Sequence, residues 1–223
     1  MNQLSTESWY SVILADPPWW YSNRKTGGER KDRTKFGGGA MKHYPLMKDI
    51  ELLEFSDFIR TISNDNAALF VWATCPRLDF AIQWIEACGF RYVTNAFTWV
   101  KTKPGSTVPV YGPGYYTASN IELCLLGIRG KMKPEKEMTQ SVIQAPRGAH
   151  SEKPIIHDLI TAMYPHGNRC EIFARTTQEG WDTYGNETAP EIQTTLLKGI
   201  AHAGKSLLHG GCEQPTQPRL LGV

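Results

Sequence analysis

The sequence lacks most of the features that assign a protein to a class at a glance. No apolar run approaches the roughly 18–20 residues that a membrane span needs. The opening MNQLSTESWY has no basic segment followed by an apolar one. Both absences point away from membrane and secretion and towards the cytoplasm. Cysteine is scarce, with five residues (Cys75, Cys88, Cys124, Cys170, Cys212), an odd number without a CxxC pair. Reduced thiols fit that usage better than a disulfide framework or a zinc ribbon. Repeats and heptads are missing, which removes solenoids and coiled coils. So is the dinucleotide fingerprint: Gly37, Gly38 and Gly39 lie inside a basic loop, not between a strand and a helix. There is no serine elbow, and the six histidines form no metal pair at helical spacing. His202, His209 and Cys212 sit in a polar tail and read as surface residues, so no metal is expected. Net charge is also small, +2 from 24 basic and 22 acidic residues, which neither demands nor forbids a polyanionic partner.

What is present is a chain of 223 residues, 41% hydrophobic and 21% charged, long enough to bury a core without staples. Residues 9–15 form a short β-branched apolar run that stops at Asp16-Pro17-Pro18. Two prolines continue neither a helix nor a central ladder, so this reads as a strand ending in a rigid loop. A polar stretch rich in Gly, Lys and Arg follows over residues 21–48, a length that in a compact domain indicates a functional or disordered loop. The apolar spacing then predicts a helix over 48–62, a strand over 67–73, a helix over 78–88 stopped by Gly89, and strands over 92–101 and 121–128. A Gly/Pro-rich loop separates those two strands. Residues 154–164 read as a helix opening on Pro154, and 170–174 as a last apolar strand. Strands alternating with helices predict an α/β protein on a largely parallel sheet, which binds ligands beyond the carboxyl ends of its strands. Residues 1–190 form the expected catalytic domain; 191–223 read as a C-terminal helix (about 188–199) and a loose tail.

Two constellations carry chemistry. Asp16-Pro17-Pro18-Trp19 sets a carboxylate and a flat ring at the carboxyl end of a predicted strand. A planar substrate with an exocyclic amine suits that pattern: the ring stacks, while the carboxylate and a backbone carbonyl accept the amine protons. Acceptors on both N–H groups draw the nitrogen lone pair out of conjugation and aim it at an electrophile. A tight turn with Trp19 as a core lid uses the same residues, and Trp20 and Tyr21 beside it favour a binding platform. The second cluster comprises His150-Ser-Glu-Lys153-Pro154, Arg175 after the last strand, and Gly180-Trp-Asp-Thr-Tyr-Gly185-Asn186-Glu187. Lys153 before a helix suits an anion such as a carboxylate. Asn186 and Glu187 on a Gly-bounded turn suit ribose hydroxyls. Taken singly, each is also an ordinary surface charge or cap.

DPPW near the start, together with HSEKP, EIFAR and GWDTYGNE near the end, resembles the MT-A70 family of adenine-N6 methyltransferases over residues 12–187. The resemblance implies a Rossmann-like methyltransferase sheet in circularly permuted motif order, with the catalytic motif ahead of the cofactor-binding segment. It also implies S-adenosylmethionine as methyl donor. Asp16, Pro17, Pro18 and Trp19 then become the catalytic motif. Asp16 faces the donor and the target amine, the Pro17 carbonyl takes the second amine proton, and Trp19 and Tyr21 stack on adenine. Lys153 matches the lysine that binds the methionyl carboxylate, and Arg175, Asn186 and Glu187 match positions around the donor ribose. Glu122 matches an acidic position near the acceptor pocket. The chain departs from the RNA-modifying eukaryotic members in two places. Only residues 1–14 precede the motif, where those members carry an extension before its strand, and Thr177-Gln178 replaces a His-Asn pair.

The charge is unevenly divided. Residues 21–48 carry eight basic side chains, among them Arg24, Lys25, Arg33 and Lys35, against Glu29 and Asp32, a local +6 that leaves −4 for the rest. Basic loops beside DPPW suit phosphates, and Lys101, Lys103, Arg129, Lys131 and Lys133 extend the set to later loops. Between residues 170 and 191 five carboxylates face only Arg175, where a cationic sulfonium donor is expected. The expected acceptor is adenine in DNA ahead of RNA, flipped out of the stack if the DNA is duplex. Weaker readings are an RNA methyltransferase, a non-catalytic nucleic-acid-binding subunit and a small-molecule amine methyltransferase. A homodimer and a paralogous partner subunit both stay open.

Overall fold

The computed structural model describes residues 10–20, 46–112, 116–135, 140–146 and 156–185. Seven strands form one sheet in the order β5-β3-β4-β2-β1-β6-β7. In chain order they are β1 (Tyr10–Ala15), β2 (Ser63–Ala73), β3 (Arg91–Thr102), β4 (Ile121–Arg129), β5 (Val142–Pro146), β6 (Arg169–Ile172) and β7 (Asp182–Tyr184). The helices are α1 (Asp49–Ile62), α2 (Leu78–Ala87) and α3 (Ile156–Met163). Only β4 runs against the rest, antiparallel to both β2 and β3; the other pairings are parallel. The expectation of a largely parallel α/β sheet holds.

Period-two alternation explains the layering. On β1 and β2, Ile13, Ala15, Leu69, Val71 and Ala73 point to one face, where Leu52, Phe55 and Ile59 of α1 and Phe80, Ala81, Trp84 and Ile85 of α2 cover them. Val12, Leu14, Phe70 and Trp72 point to the other, under Ile156 and Ile160 of α3. Both faces of β1 and β2 are therefore buried, which explains their near-continuous apolar sequences. α1 starts where Lys48 N–H donates to the Glu51 carboxylate at 2.6 Å, half of a capping box.

Two strands were not expected. β5 (VIQAP) is a short edge strand that tolerates its terminal proline, and β7 has only three residues, too few for a pattern. The expected helix near 188–199 and the tail lie outside the described residues. Among the described residues no helix is long and apolar enough to cross a membrane.

The topology sets where a ligand fits. From β1 the chain crosses by α1 to β2 on one side, whereas α3, on the opposite face, delivers it to β6 on the other side. The carboxyl ends of β1 and β6 therefore lie at a topological switch point, where such sheets open the crevice that usually takes the ligand.

Candidate active site

Asp16 stands at the mouth of that crevice. Its N–H makes the last rung of the sheet, donating to the Ile172 carbonyl at 3.3 Å. Pro17 and Pro18 have no N–H to give, so the ladder ends there. The Pro17 carbonyl accepts the Trp19 N–H at 2.8 Å, an i to i+2 closure that fixes its direction and leaves a second lone pair. The Pro18 carbonyl accepts from Met47 N–H at 3.0 Å, which ties the turn to the start of α1.

Trp19 turns inward. Its ring is 4% exposed, its indole N–H donates to the Trp72 carbonyl at 2.9 Å, and its edges meet Phe80 and Trp84 at centroid distances of 6.0 and 6.1 Å. This is the core-lid arrangement: a ring packed that way offers a ligand little stacking face. The exposed ring is that of Trp20 beside the motif, at 40%. Trp84 in turn donates to the Leu52 carbonyl at 2.6 Å, so the turn is bolted through two indoles to α1 and α2.

Arg175 arrives from β6 and brings its guanidinium to 3.9 Å from the Asp16 carboxylate. Phe173, between β6 and Arg175, has φ of +65°, a left-handed conformation that costs a non-glycine residue about 1–3 kcal/mol. Its ring packs on Phe55 at 5.0 Å, which holds the kink. Ala174 N–H donates to the Tyr184 carbonyl at 3.0 Å, and at Gly185 a Cβ would stand 1.8 Å from the Ala174 carbonyl oxygen. Only glycine lets β7 approach the Arg175 segment this closely. Beneath, burial raises the Cys170 thiol well above its ordinary pKa, so it sits there as an inert apolar group.

Glu122 lies on the same edge, two strands from β1, at roughly 10 Å by the usual strand spacing. It is 8% exposed and forms an ion pair with Lys101, whose ammonium also lies 5.1 Å from the centre of the Trp99 ring. No residue pattern signals this partnership, although pairing β3 with β4 in register sets Trp99 opposite Glu122. Arg129 departs further from expectation. It donates to the carbonyls of Arg60, Ser63, Cys88 and Gly89 at the opposite edge, and is thereby committed to the fold rather than to phosphate. Lys131 follows it there, away from Asp16.

Asp16, Pro17 and Arg175 thus come together, Glu122 joins them along the edge, and Trp19 supports from below. Tyr21, Arg24, Lys25, Arg33, Lys35, Lys153, Asn186 and Glu187 lie outside the described residues, as do His202, His209 and Cys212. Among the described residues no group of His, Cys, Asp or Glu could hold a metal ion.

The arrangement pairs a hydrogen-bond-accepting turn with a guanidinium at a switch-point crevice. The chain is also similar in sequence to known methyltransferases. The MT-A70 family model matches residues 10–187. Type II methyltransferase M.MunI of Mycoplasma sp is 36% identical over 189 residues, 80% of this chain and 77% of that protein. The N(6)-adenosine-methyltransferase MT-A70-like protein of Arabidopsis thaliana is 24% identical, and the human N(6)-adenosine-methyltransferase catalytic subunit METTL3 likewise 24%. Each match covers 80% of this chain, but only 24% and 28% of those longer proteins.

Proposed function

The chain belongs to the MT-A70 family of methyltransferases, and from that premise we propose that it methylates the N6 amine of adenine in DNA with S-adenosylmethionine as donor. The observation that carries this reading is the Asp16-Pro17 turn, opened at the β1–β6 crevice with Arg175 beside it. The residues present fit the donor in kind. A carboxylate and a guanidinium at one crevice, exposed by 20% and 26% respectively, suit a small zwitterion with a positive centre. Lys153, Asn186 and Glu187 complete the proposed donor set on the strength of the family motifs.

When bound, S-adenosylmethionine supplies a methyl group made electrophilic by its sulfonium. The protein's part is positioning more than acid–base work. Asp16 accepts one proton of the adenine amine in a hydrogen bond, and the free lone pair of the Pro17 carbonyl accepts the other. Held at both N–H bonds, the amine nitrogen turns its lone pair out of the ring plane and towards the donor side of the crevice. Trp19 is a positioning residue that fixes the turn through Trp72, Phe80 and Trp84. The name of the bacterial relative, together with its coverage of most of both chains, supports DNA ahead of RNA. The names of the eukaryotic relatives support adenine N6 as the acceptor and keep RNA as the second reading.

The test is transfer from labelled donor to duplex DNA, single-stranded DNA and RNA in competition, with the modified nucleoside identified by mass spectrometry. N6-methyladenine in DNA is expected, and RNA as the preferred acceptor would establish the second reading. Absence of donor binding in isothermal titration would support a non-catalytic subunit.

A further inference from the structure

β7 is the shortest strand of the sheet, and the backbone beside Arg175 depends on it. It has three residues, one neighbouring strand and one buried side chain, Thr183. A strand so short on an open edge is marginal by itself. Backbone pairing with β6 sets its register, Cys170 opposite Asp182 and Ile172 opposite Tyr184. Among the described residues, its side-chain hydrogen bonds all go to Tyr10 at the start of β1. Tyr10 stands two strands away, roughly 10 Å at ordinary spacing, so its ring has to cross β6. Cys170, on β6 between them, packs in the same apolar cluster as Tyr10 and Tyr184, and a side chain that small leaves the ring room.

The three polar groups form a chain with one direction. A carboxylate only accepts, so the Tyr10 hydroxyl gives its proton to Asp182 at 2.7 Å and takes one from Tyr184 at 2.6 Å. The two rings meet edge to face, 6.2 Å between centroids. Tyr184 passes the constraint on through its backbone: its carbonyl accepts the Ala174 N–H at 3.0 Å, and Gly185 packs against the Ala174 carbonyl. Arg175 is the next residue, with its guanidinium 3.9 Å from the Asp16 carboxylate. The link thus runs from hydroxyl to strand to arginine. The rest of the sheet does not need it, because β6 pairs with β1 without help from β7.

We propose that Tyr10 and Tyr184 are positioning residues for donor binding: their hydroxyl bond holds β7 where its last carbonyl fixes Ala174, and so aims Arg175 into the β1–β6 crevice. The inference rests on the proposed function, which gives Arg175 to the donor, and extends it to two hydroxyls that touch neither donor nor acceptor. A guanidinium serves a charged ligand only when it is held close to the right place, and a side chain on a loosely fixed segment loses that precision. Removing the Tyr10 hydroxyl keeps the ring and its packing but unties both Asp182 and Tyr184.

The experiment measures S-adenosylmethionine affinity by isothermal titration, which needs no turnover. In Y10F the dissociation constant should rise about tenfold, the worth of one hydrogen bond to a charged group. Y184F keeps the Tyr10–Asp182 bond and should raise it about threefold; it carries the test if Y10F does not fold. D182N still accepts the Tyr10 proton and should stay within about twofold of the parent. Thermal unfolding of the same preparations reports which variants are folded. The decisive arm is a double-mutant cycle: if Tyr10 acts through Arg175, adding Y10F to R175A should change affinity by less than about twofold. Parent affinity in folded Y10F and Y184F overturns the proposal and leaves the hydroxyls to the fold alone. A Y10F penalty that persists undiminished beside R175A also overturns it, because Tyr10 would then meet the donor directly. A parent that binds no S-adenosylmethionine fails the proposed function, and this inference with it. A parent that binds the donor and transfers methyl groups, while its Y10F variant binds equally well, fails this inference alone.

Discussion

At the amino edge of the sheet Arg129 donates to four carbonyls and Arg169 to three, whereas at the carboxyl edge Arg175 faces the Asp16 carboxylate at 3.9 Å. The first two close helix ends. Arg129 caps the carbonyls that finish α1 and α2, and Arg169 those of Tyr164 and Pro165 after α3. Burial, with Arg60 close by, lowers the Arg129 pKa. Tyr10 belongs to the same edge: its hydroxyl bonds Asp182 at 2.7 Å and Tyr184 at 2.6 Å, and burial raises both tyrosine pKa values. Polar groups there hold the fold together. At the carboxyl edge the chain accepts a left-handed Phe173 and a proline-stopped ladder, features that make sense around a ligand. The same residue types serve opposite ends according to whether a carbonyl or a carboxylate faces them.

Substitutions should break this division in order of size. D16A is expected to lower methyl transfer by about 10²–10³-fold with thermal unfolding unchanged, since one positioned acceptor of the amine is lost. Near-normal turnover in that variant would remove the mechanism. At the opposite edge, R129A should cost about 2–3 kcal/mol in urea unfolding, because carbonyls at two helix ends lose a charged donor. Activity per folded molecule should stay at the parent level; a specific activity defect would show that the edges are not separate. W19F tests the clamp: losing the indole bond to Trp72 should cost about 1–2 kcal/mol, although the new ring could still stack. Unchanged stability with weakened DNA binding would restore Trp19 as a stacking platform.

The smallest effect concerns Tyr164, after α3. Its hydroxyl is buried without a hydrogen-bond partner among the described residues, and burial pushes its pKa up to about 12. The unfolded chain releases that proton near 10, so stability is full below about pH 10 and falls as the pH rises towards 12. Y164F should flatten that loss and change stability at neutral pH by no more than about 0.5 kcal/mol. An undiminished fall between pH 10 and 12 would assign it to other groups.

Much of this could be read in the residues. The apolar blocks of β1 and β2 and the 3.6-residue spacing of α1 and α2 act locally, and their boundaries shift by only a few residues between sequence and structure. The sheet-edge position of Asp16 followed from two prolines after an apolar run. What escaped depends on partners far along the chain. β5 and β7 are too short for a pattern and exist because β3 and β6 offer them edges. Trp19 reads equally as platform or lid until Phe80 and Trp84 enclose it. Lys101 and Arg129 look alike as basic residues near loops, yet one meets Glu122 and the other meets helix ends. Charge shows in a sequence; what faces it is decided by topology.

We propose that the donor occupies the β1–β6 crevice at the carboxyl edge. Amino-edge residues Tyr10, Gly167, Asn168, Arg169, Gly180 and Asp182 line a second, polar cleft of about 330 Å³. Ultraviolet crosslinking of labelled S-adenosylmethionine, followed by peptide mapping, distinguishes the two directly. Label on peptides spanning residues 16–20 or 173–185, suppressed by excess unlabelled donor, is the predicted result. Label confined to the peptide containing residues 167–169, equally suppressible, would place the donor in the amino-edge cleft instead.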